Sequence, residues 1–191
     1  HPVESVTIEV PRLRLHITSP ADAVAQGIGY LSEDRKRYGL ALNLTVRDNV
    51  ALATFDRFEK GPFLDLGEVE RSTRQYVEKL DIKTPSMDQI MRNLSGGNQQ
   101  KVVLAKWLIR NSDILIFDEP TRGIDVGAKS EIYTLMNDLA SQGKAIIMIS
   151  SELPEILRMS DRIVVMCEGR VTGELDIAEA NQERIMEFAN M

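Results

Sequence analysis

The fold is decided by one stretch of sequence, ILIFDEPTRGIDVGAKSEIYTLMNDLASQGKAIIMI, at residues 114–149. It opens with four apolar residues, passes through an amphipathic segment at 126–140, and returns to an apolar run at 144–149. A predicted helix at 152–158 and a predicted strand at 162–167 continue the alternation. Short apolar strands that alternate with amphipathic helices predict an α/β fold, in which helices cover both faces of a parallel sheet.

The sequence before this stretch is mostly helical in pattern. Ser19 caps a short helix and Thr45 opens another, and a strand is expected at 28–31 between them. The first 18 residues alternate as two short antiparallel strands with Pro11 at the turn. We therefore expect a helical subdomain at about 45–110 and an α/β core built from 19–44 and 111–175. A last strand at 170–175 and a closing helix at 177–189 complete the expected order.

Composition narrows the class of protein. The chain has 191 residues, with 23 Lys and Arg against 29 Asp and Glu, a net charge of -6 and a pI near 5.1. This acidic balance argues against a nucleic-acid partner, because binding to phosphate backbones needs a basic surface. The apolar runs are too short to cross a bilayer and no signal-peptide pattern opens the sequence, so a soluble protein is expected. The single cysteine, Cys167, lies in an apolar run and suits a reducing compartment.

Two adjacent carboxylates follow the apolar run at 114–117. Ligands of an open α/β sheet gather beyond the carboxyl ends of the strands, which is where Asp118 and Glu119 would emerge. Such a pair can divide its work, with the first residue facing a hydrated Mg²⁺ and the second polarising an attacking water. The competing interpretation is a strand that ends in two solvated acids.

The segment Leu94-Ser95-Gly96-Gly97-Asn98-Gln99-Gln100-Lys101 is the second chemical feature. Ser95 is a good N-cap for the helix that runs on through Trp107, and the two glycines allow a ligand to approach the backbone. Exposed N–H groups and the positive end of the helix dipole would then point to one spot, which indicates an anion site. A plain capped helix is the alternative, although serine alone would be enough for that.

The order of these motifs resembles the ATP-binding cassette (ABC) family. In that family, residues 94–101 correspond to the signature motif, 114–119 to the Walker B strand, and the region around Asp125 to the D-loop. The segment 32–36 and the run 120–129 resemble more narrowly the ATP-binding subunits of bacterial monosaccharide importers, most of all the second of their two tandem cassettes in ribose-type importers. The resemblance covers about residues 19–172.

The resemblance implies ATP and Mg²⁺ as cofactors and gives roles to nine residues. Ser95, Gly96 and Gly97 of the signature motif would bind the γ-phosphate of ATP held by another cassette, and Gln99 of the same motif would be a further cofactor-binding residue. Asp118 would hold Mg²⁺ through water, and Glu119 would position the attacking water. Asp125 would contact the partner cassette, Glu33 would couple to membrane subunits, and Ser151 stands at the position of the switch histidine.

The same resemblance implies partners and a location. The partner cassette would be the N-terminal one of the same polypeptide or a second copy. The other partners would be transmembrane permease subunits and, indirectly, an extracellular or periplasmic sugar-binding protein. The subunit would lie in the cytoplasm, at the inner face of the cell membrane.

The sequence departs from the family at three points. No Gly-x-x-x-x-Gly-Lys-Ser/Thr phosphate loop occurs in it, and in the family that loop directly precedes the part where this sequence begins. We therefore expect a cassette truncated at its N-terminus, inactive as an ATPase by itself. Glu33 stands where the family has the Q-loop glutamine, and Ser151, which cannot carry a histidine's charge, replaces the switch histidine.

Two other functions remain open at this point. One is the C-terminal half of a chromosome or DNA-repair ATPase head, which also separates the phosphate loop from the signature motif. The absence of long heptad repeats and the acidic composition argue against it. The other is a regulatory half-cassette that does not hydrolyse ATP, which the changes at Glu33 and Ser151 would permit.

Overall fold

The structure is a computed structural model that describes residues 6–10 and 13–191, with side chains from residue 17 onward. It divides into two compact units, His1–Ile147 and Met148–Met191. The nine strands of the described residues are β1 (Val6–Val10), β2 (Leu13–Ile17), β3 (Ile28–Leu31), β4 (Glu59–Lys60), β5 (Phe63–Leu64), β6 (Ile114–Asp118), β7 (Ala145–Ile149), β8 (Arg162–Cys167) and β9 (Arg170–Asp176). The α-helices there are α1 (Pro20–Ala25), α2 (Val46–Ala51), α3 (Leu66–Lys79), α4 (Gly96–Ile109), α5 (Val126–Ser141), α6 (Leu153–Met159) and α7 (Gln182–Ala189).

Most predicted elements are present, and their caps explain why they begin where they do. Ser19 accepts from the backbone N–H of Asp22 at the start of α1, with proline in the first turn. Thr45 and Asp48 form a reciprocal capping box at the start of α2. The strands β1 and β2 pair antiparallel as predicted, whereas Pro11 lies outside the described residues. Within the described part of the chain, no helix is long and apolar enough to cross a membrane.

The central sheet of the first unit has the order β3-β6-β7. Strands β3 and β6 run parallel, with Ile28 opposite Ile114 and Leu31 opposite Phe117. Leu31, Leu115 and Phe117 are almost completely buried, so these strands form part of the core, as their apolar sequence predicts. Because β3 and β6 are parallel, their carboxyl ends lie at the same edge, and this edge carries Asp118.

Helix α4 is the central helix of the first unit. It contacts α2, α3, α5 and β3, and most of its residues are buried, including the run 99–106. One cation and one phenol bind the carbonyls at its C-terminal end: Arg57 donates to the carbonyl of Ile109, and Tyr76 donates to the carbonyl of Leu108 at 3.0 Å. A buried helix of this kind holds its N-terminus in a fixed place relative to the sheet.

The second unit is built on a β-hairpin. Strands β8 and β9 pair antiparallel with each other and form a two-stranded sheet. The turn between them has positive φ at both Glu168 and Gly169, the geometry that joins two strands most tightly. Ile163, Val165 and Leu175 pack with Ile185 of α7 to form the core of this unit.

Two predictions about secondary structure are wrong. The closing helix predicted at 177–189 is interrupted: a short 3₁₀ turn at Ile177–Glu179 is followed by α7, whose N-cap is Asn181. The side chain of Asn181 accepts from the N–H of Arg184 at 2.9 Å, so a local hydrogen bond restarts the helix. In the region 45–110, a hairpin of β4 and β5 interrupts the helices. The predicted division into a helical subdomain and an α/β core stays a prediction.

Candidate functional site

The start of α4 is capped as the sequence predicts. Ser95 Oγ accepts from the backbone N–H of Asn98 at 3.4 Å and from its side-chain amide at 2.9 Å, and Asn98 Oδ1 accepts from the N–H of Lys83 at 2.7 Å. The N–H groups of Gly96 and Gly97 belong to the first turn, where a helix supplies no acceptor of its own. They are therefore the groups that an anion at this helix start would meet.

A second helix begins beside the first. Asp125 caps α5 by accepting from the N–H of Ala128 at 3.0 Å. A concavity of about 230 Å³ lies between the two helix starts. Its lining comes from both helices and from the loop before α4, and consists of Lys83, Ser95, Gly97, Asn98, Asp125, Gly127, Ala128 and Glu131. The structure thus brings together three predicted site residues, Ser95, Gly97 and Asp125.

The two helices touch at a glycine. A Cβ atom added at Gly97 would lie 2.9 Å from the Cβ of Ala128, a separation that real Cβ atoms essentially never show. Gly97 is also buried, although it is one of the residues that line the concavity. Packing against α5 by itself requires glycine at 97, independently of any ligand.

The first glycine of the pair has a different neighbour. A Cβ at Gly96 would lie 2.8 Å from Nη2 of Arg35, which is the end of a flexible side chain. The Arg35 guanidinium also donates to the carbonyl of Arg122 at 3.3 Å, and Arg122 forms an ion pair with Glu33. Glu33 is therefore tied to the turn that follows Glu119, a contact between distant parts of the sequence that the motif pattern does not reveal.

A buried lysine joins the elements around the concavity. Lys101 Nζ lies 2.8 Å from Glu131 Oε2 and donates to the carbonyl of Asp81 at 3.0 Å. The hydrogen bond from Lys101 to Glu131 and the positive charge of Lys101 hold the pKa of Glu131 below its usual value. The Glu131 carboxylate therefore stays ionised, and Lys101 neutralises its charge. Sequence reasoning missed Lys101, Glu131 and Lys83, because their positions carry no spacing signal by themselves.

Gln99 faces the interior. Its side chain is 4% exposed, and Nε2 donates to the carbonyl of Met91 at 3.1 Å. It therefore supports the loop that leads into α4 and is not among the residues that line the concavity.

The carboxylates predicted at the end of β6 lie where expected. Asp118 is the last residue of the strand, is half-buried, and accepts from the hydroxyl of Tyr30 at 2.5 Å. Glu119 has φ of 46°, in the left-handed region that is uncommon outside glycine, and such backbone strain clusters at functional sites. The N–H of Arg122 donates to the carbonyl of Glu119 at 3.1 Å and closes the turn that leads to Asp125.

Ser151 belongs to the second unit. Its side chain is exposed, and the neighbouring Ser150 hydroxyl donates to Glu155 Oε2 at 2.5 Å. Ser150 Oγ also accepts from the N–H of Glu152 at 3.0 Å, which fixes the entry into α6. The structure describes this segment within its own unit only.

These features together define an ATP-binding cassette. They are the capped signature helix, the strand that ends at Asp118 and is followed by Glu119, and the turn that leads to a second helix. The sequence model of the family described as ABC transporter matches residues 6–122. The match covers more than half of the chain, which belongs to the ABC transporter family. The family assignment made from the motifs is confirmed.

The curated relatives are import proteins. The chain is 61% identical over 189 residues to the putative ribose/galactose/methyl galactoside import ATP-binding protein 3 of Burkholderia ambifaria, covering 98% of this chain and 37% of that protein. It is 52% identical over 177 residues to the ribose import ATP-binding protein RbsA of Clostridium tetani, covering 92% of this chain and 35% of that protein. The chain thus spans little more than a third of the length of these relatives.

Solved cassettes share the fold. A nucleotide-free ATP-binding cassette from an ABC transporter has a TM-score of 0.72 at 20% identity, covering 94% of this chain and 71% of that one. A dimeric cassette in a post-hydrolysis state, bound to ADP and Pi, has a TM-score of 0.71 at 20% identity, covering 90% of this chain and 73% of that one. The predicted α/β cassette fold is confirmed. None of these similarities favours a DNA-repair ATPase head.

Proposed function

We propose that the chain is part of an ATP-binding subunit that drives monosaccharide import, in which it supplies the signature motif and the Walker B carboxylates to ATP sites. The observation that carries the proposal is the concavity where the start of α4 meets the start of α5. The positive end of the α4 dipole is directed there beside Lys83, the charge of Glu131 is offset by Lys101, and the Asp125 carboxylate is engaged in capping α5. Such a surface suits an anionic group presented by a partner.

The partner in this proposal is a second cassette with ATP bound to its phosphate loop. The Ser95 hydroxyl and the N–H groups of Gly96 and Gly97 bind the γ-phosphate across the interface. Asp125, exposed at the rim of the concavity, faces the partner. That cassette is either the N-terminal one of the same polypeptide or a second copy. The remaining partners are permease subunits, reached through the segment at Glu33, and indirectly a sugar-binding protein.

The carboxylates at the end of β6 fit the Mg²⁺ that accompanies ATP. Mg²⁺ prefers oxygen ligands and keeps several waters, so one carboxylate together with nucleotide phosphates is enough. Among the described residues, no group of three or more His, Cys, Asp or Glu side chains could hold a metal ion alone. Asp118 takes the role of ligand to a metal-bound water, and Glu119 orients the attacking water.

Ser151 replaces the switch histidine in this proposal, so proton transfer from that position is lost. The regulatory alternative, in which the subunit binds ATP without hydrolysing it at this Walker B, differs in one measurable respect. Glu119→Gln leaves turnover unchanged in the regulatory case and lowers it in the hydrolytic case.

The subunit works in the cytoplasm, at the inner face of the membrane.

The test is a charge placed at Gly96 in the full-length subunit, assembled with its permease. Gly96→Asp adds a carboxylate at a helix N-terminus, beside the movable Arg35 guanidinium, so the fold should tolerate it. Two like charges about 4 Å apart repel by ~4 kcal/mol at an effective dielectric constant of about 20. ATP-driven sugar uptake should fall at least ~10-fold relative to Gly96→Asn, the uncharged control of the same size. Equal uptake by both variants, with both folded, would refute the proposal.

A further inference from the structure

The carboxylate assigned to Mg²⁺ already has a protein partner. Tyr30 Oη donates to Asp118 Oδ2 at 2.5 Å, a length typical of an O–H group bound to an ionised carboxylate. Both residues belong to the first unit, and they lie on neighbouring strands although 88 residues separate them in the sequence. The resemblance to known motifs assigns no role to Tyr30.

The sheet explains why this tyrosine reaches this aspartate. Tyr30 on β3 pairs with Ile116 on β6, and Asp118 follows two residues later on the same strand. Side chains alternate between the faces of a strand, so Tyr30 and Asp118 project from the same face of the sheet. A long aromatic side chain spans the diagonal between such positions, and its hydroxyl then meets the carboxylate at the strand end.

The exposure of Tyr30 argues against a role in core packing. Tyr30 is 46% exposed, whereas Leu31, its neighbour on β3, is completely buried. The phenol therefore lies at the ligand edge of the sheet. Its hydroxyl interacts there with Asp118 and, more weakly, with Ser32.

We propose that Tyr30 is a positioning residue for Asp118, the carboxylate that would hold Mg²⁺ through water, an inference that rests on the proposed function. The phenol hydroxyl engages Oδ2 and restricts rotation of the half-buried carboxylate, so Oδ1 remains available to a metal-bound water. Partners that orient a metal ligand in this way change metal affinity or activity by about 10- to 100-fold when they are removed. The hydroxyl, and not the ring, carries the role.

The experiment removes only that hydroxyl in the full-length subunit. Tyr30→Phe is compared with Tyr38→Phe, a control at a tyrosine that is 68% exposed and whose ring lies 5.1 Å from the Arg37 guanidinium. Mn²⁺ serves as the probe, titrated by electron paramagnetic resonance in the presence of a non-hydrolysable ATP analogue. ATP affinity in EDTA is measured on the same samples and reports nucleotide binding without metal.

We expect Tyr30→Phe to raise the Mn²⁺ concentration for half-saturation by about 10-fold, with ATP affinity in EDTA unchanged and Tyr38→Phe like wild type. In an Asp118→Asn background, Tyr30→Phe should add nothing further, because its effect passes through Asp118. A Tyr30→Phe protein that binds Mn²⁺ like wild type overturns the inference alone, and so does one that loses ATP affinity in EDTA as well. A wild-type subunit with no metal-dependent nucleotide binding overturns the proposed function together with this inference.

Discussion

Alanine substitutions at the two glycines that start α4 should change the free energy of unfolding in different directions. Gly97→Ala places a Cβ 2.9 Å from that of Ala128, whereas Gly96→Ala meets the movable end of the Arg35 side chain at 2.8 Å and the carbonyl oxygen of Gly123 at 3.4 Å. Overpacking against a fixed neighbour costs about 1 to 3 kcal/mol, and replacing glycine by alanine in a helix returns up to about 1 kcal/mol. We expect Gly97→Ala to lower the free energy of unfolding by about 1 to 2 kcal/mol. Gly96→Ala should leave it unchanged or raise it slightly.

The assay is urea unfolding of the 191-residue chain followed by fluorescence of Trp107. This is the only tryptophan of the sequence, and it lies in α4, so the signal reports the helix that carries both substitutions. Ala128→Gly should restore space in the Gly97→Ala background, giving a double variant at least ~1 kcal/mol more stable than the sum of the single effects. If Gly97→Ala is as stable as Gly96→Ala, close packing of α4 on α5 is not the reason for glycine at 97.

Three further predictions concern other parts of the chain. Burial lowers the pKa of Lys106 to about 8 from 10.5. Between these two pH values the unfolded chain binds more protons than the folded chain, so the free energy of unfolding rises with pH. Relative to Lys106→Met, the rise should reach up to about 3 kcal/mol. A stability difference between the two proteins that stays flat from pH 7 to 10 in urea unfolding would contradict this. The 191-residue chain alone should show no ATPase activity and only weak MgATP binding by calorimetry, because it contains no phosphate-loop motif; a micromolar Kd, or turnover abolished by Glu119→Gln, would be the opposite result. In the full-length subunit, Ser151→His should raise ATP turnover or leave it unchanged, and a strong fall in a folded variant would mean that the serine itself is required.

Local sequence signals predicted the helix starts well. Ser19, Thr45, Ser95 and Asp125 each accept a hydrogen bond from an N–H in the first turn of the helix they precede. These contacts span three residues, so the sequence contains both partners within one turn. The interruption before Asn181 also has a local signal, because asparagine is a good N-cap.

Contacts between distant segments could not be predicted in the same way. The hydrogen bond of Tyr30 to Asp118 and the ion pair of Glu33 with Arg122 both depend on which strands and loops become neighbours. The packing of Gly97 could not be predicted for the same reason, since its neighbour Ala128 is known only once α4 and α5 are placed. The sequence therefore indicated which residues form the candidate site, and the structure added the groups that hold them.

The contacts that join α4 to α5 have a consequence for the entropy of association. Gly97 lies directly against Ala128, and the buried Lys101 ties both Glu131 of α5 and the loop carbonyl of Asp81 to α4. A surface that is already ordered loses little conformational freedom when a ligand arrives, so more of the contact energy appears as affinity. In the proposed function, the two helix starts therefore form a preorganised half of the ATP site, and the ordering that accompanies closure falls mainly on the partner and its nucleotide.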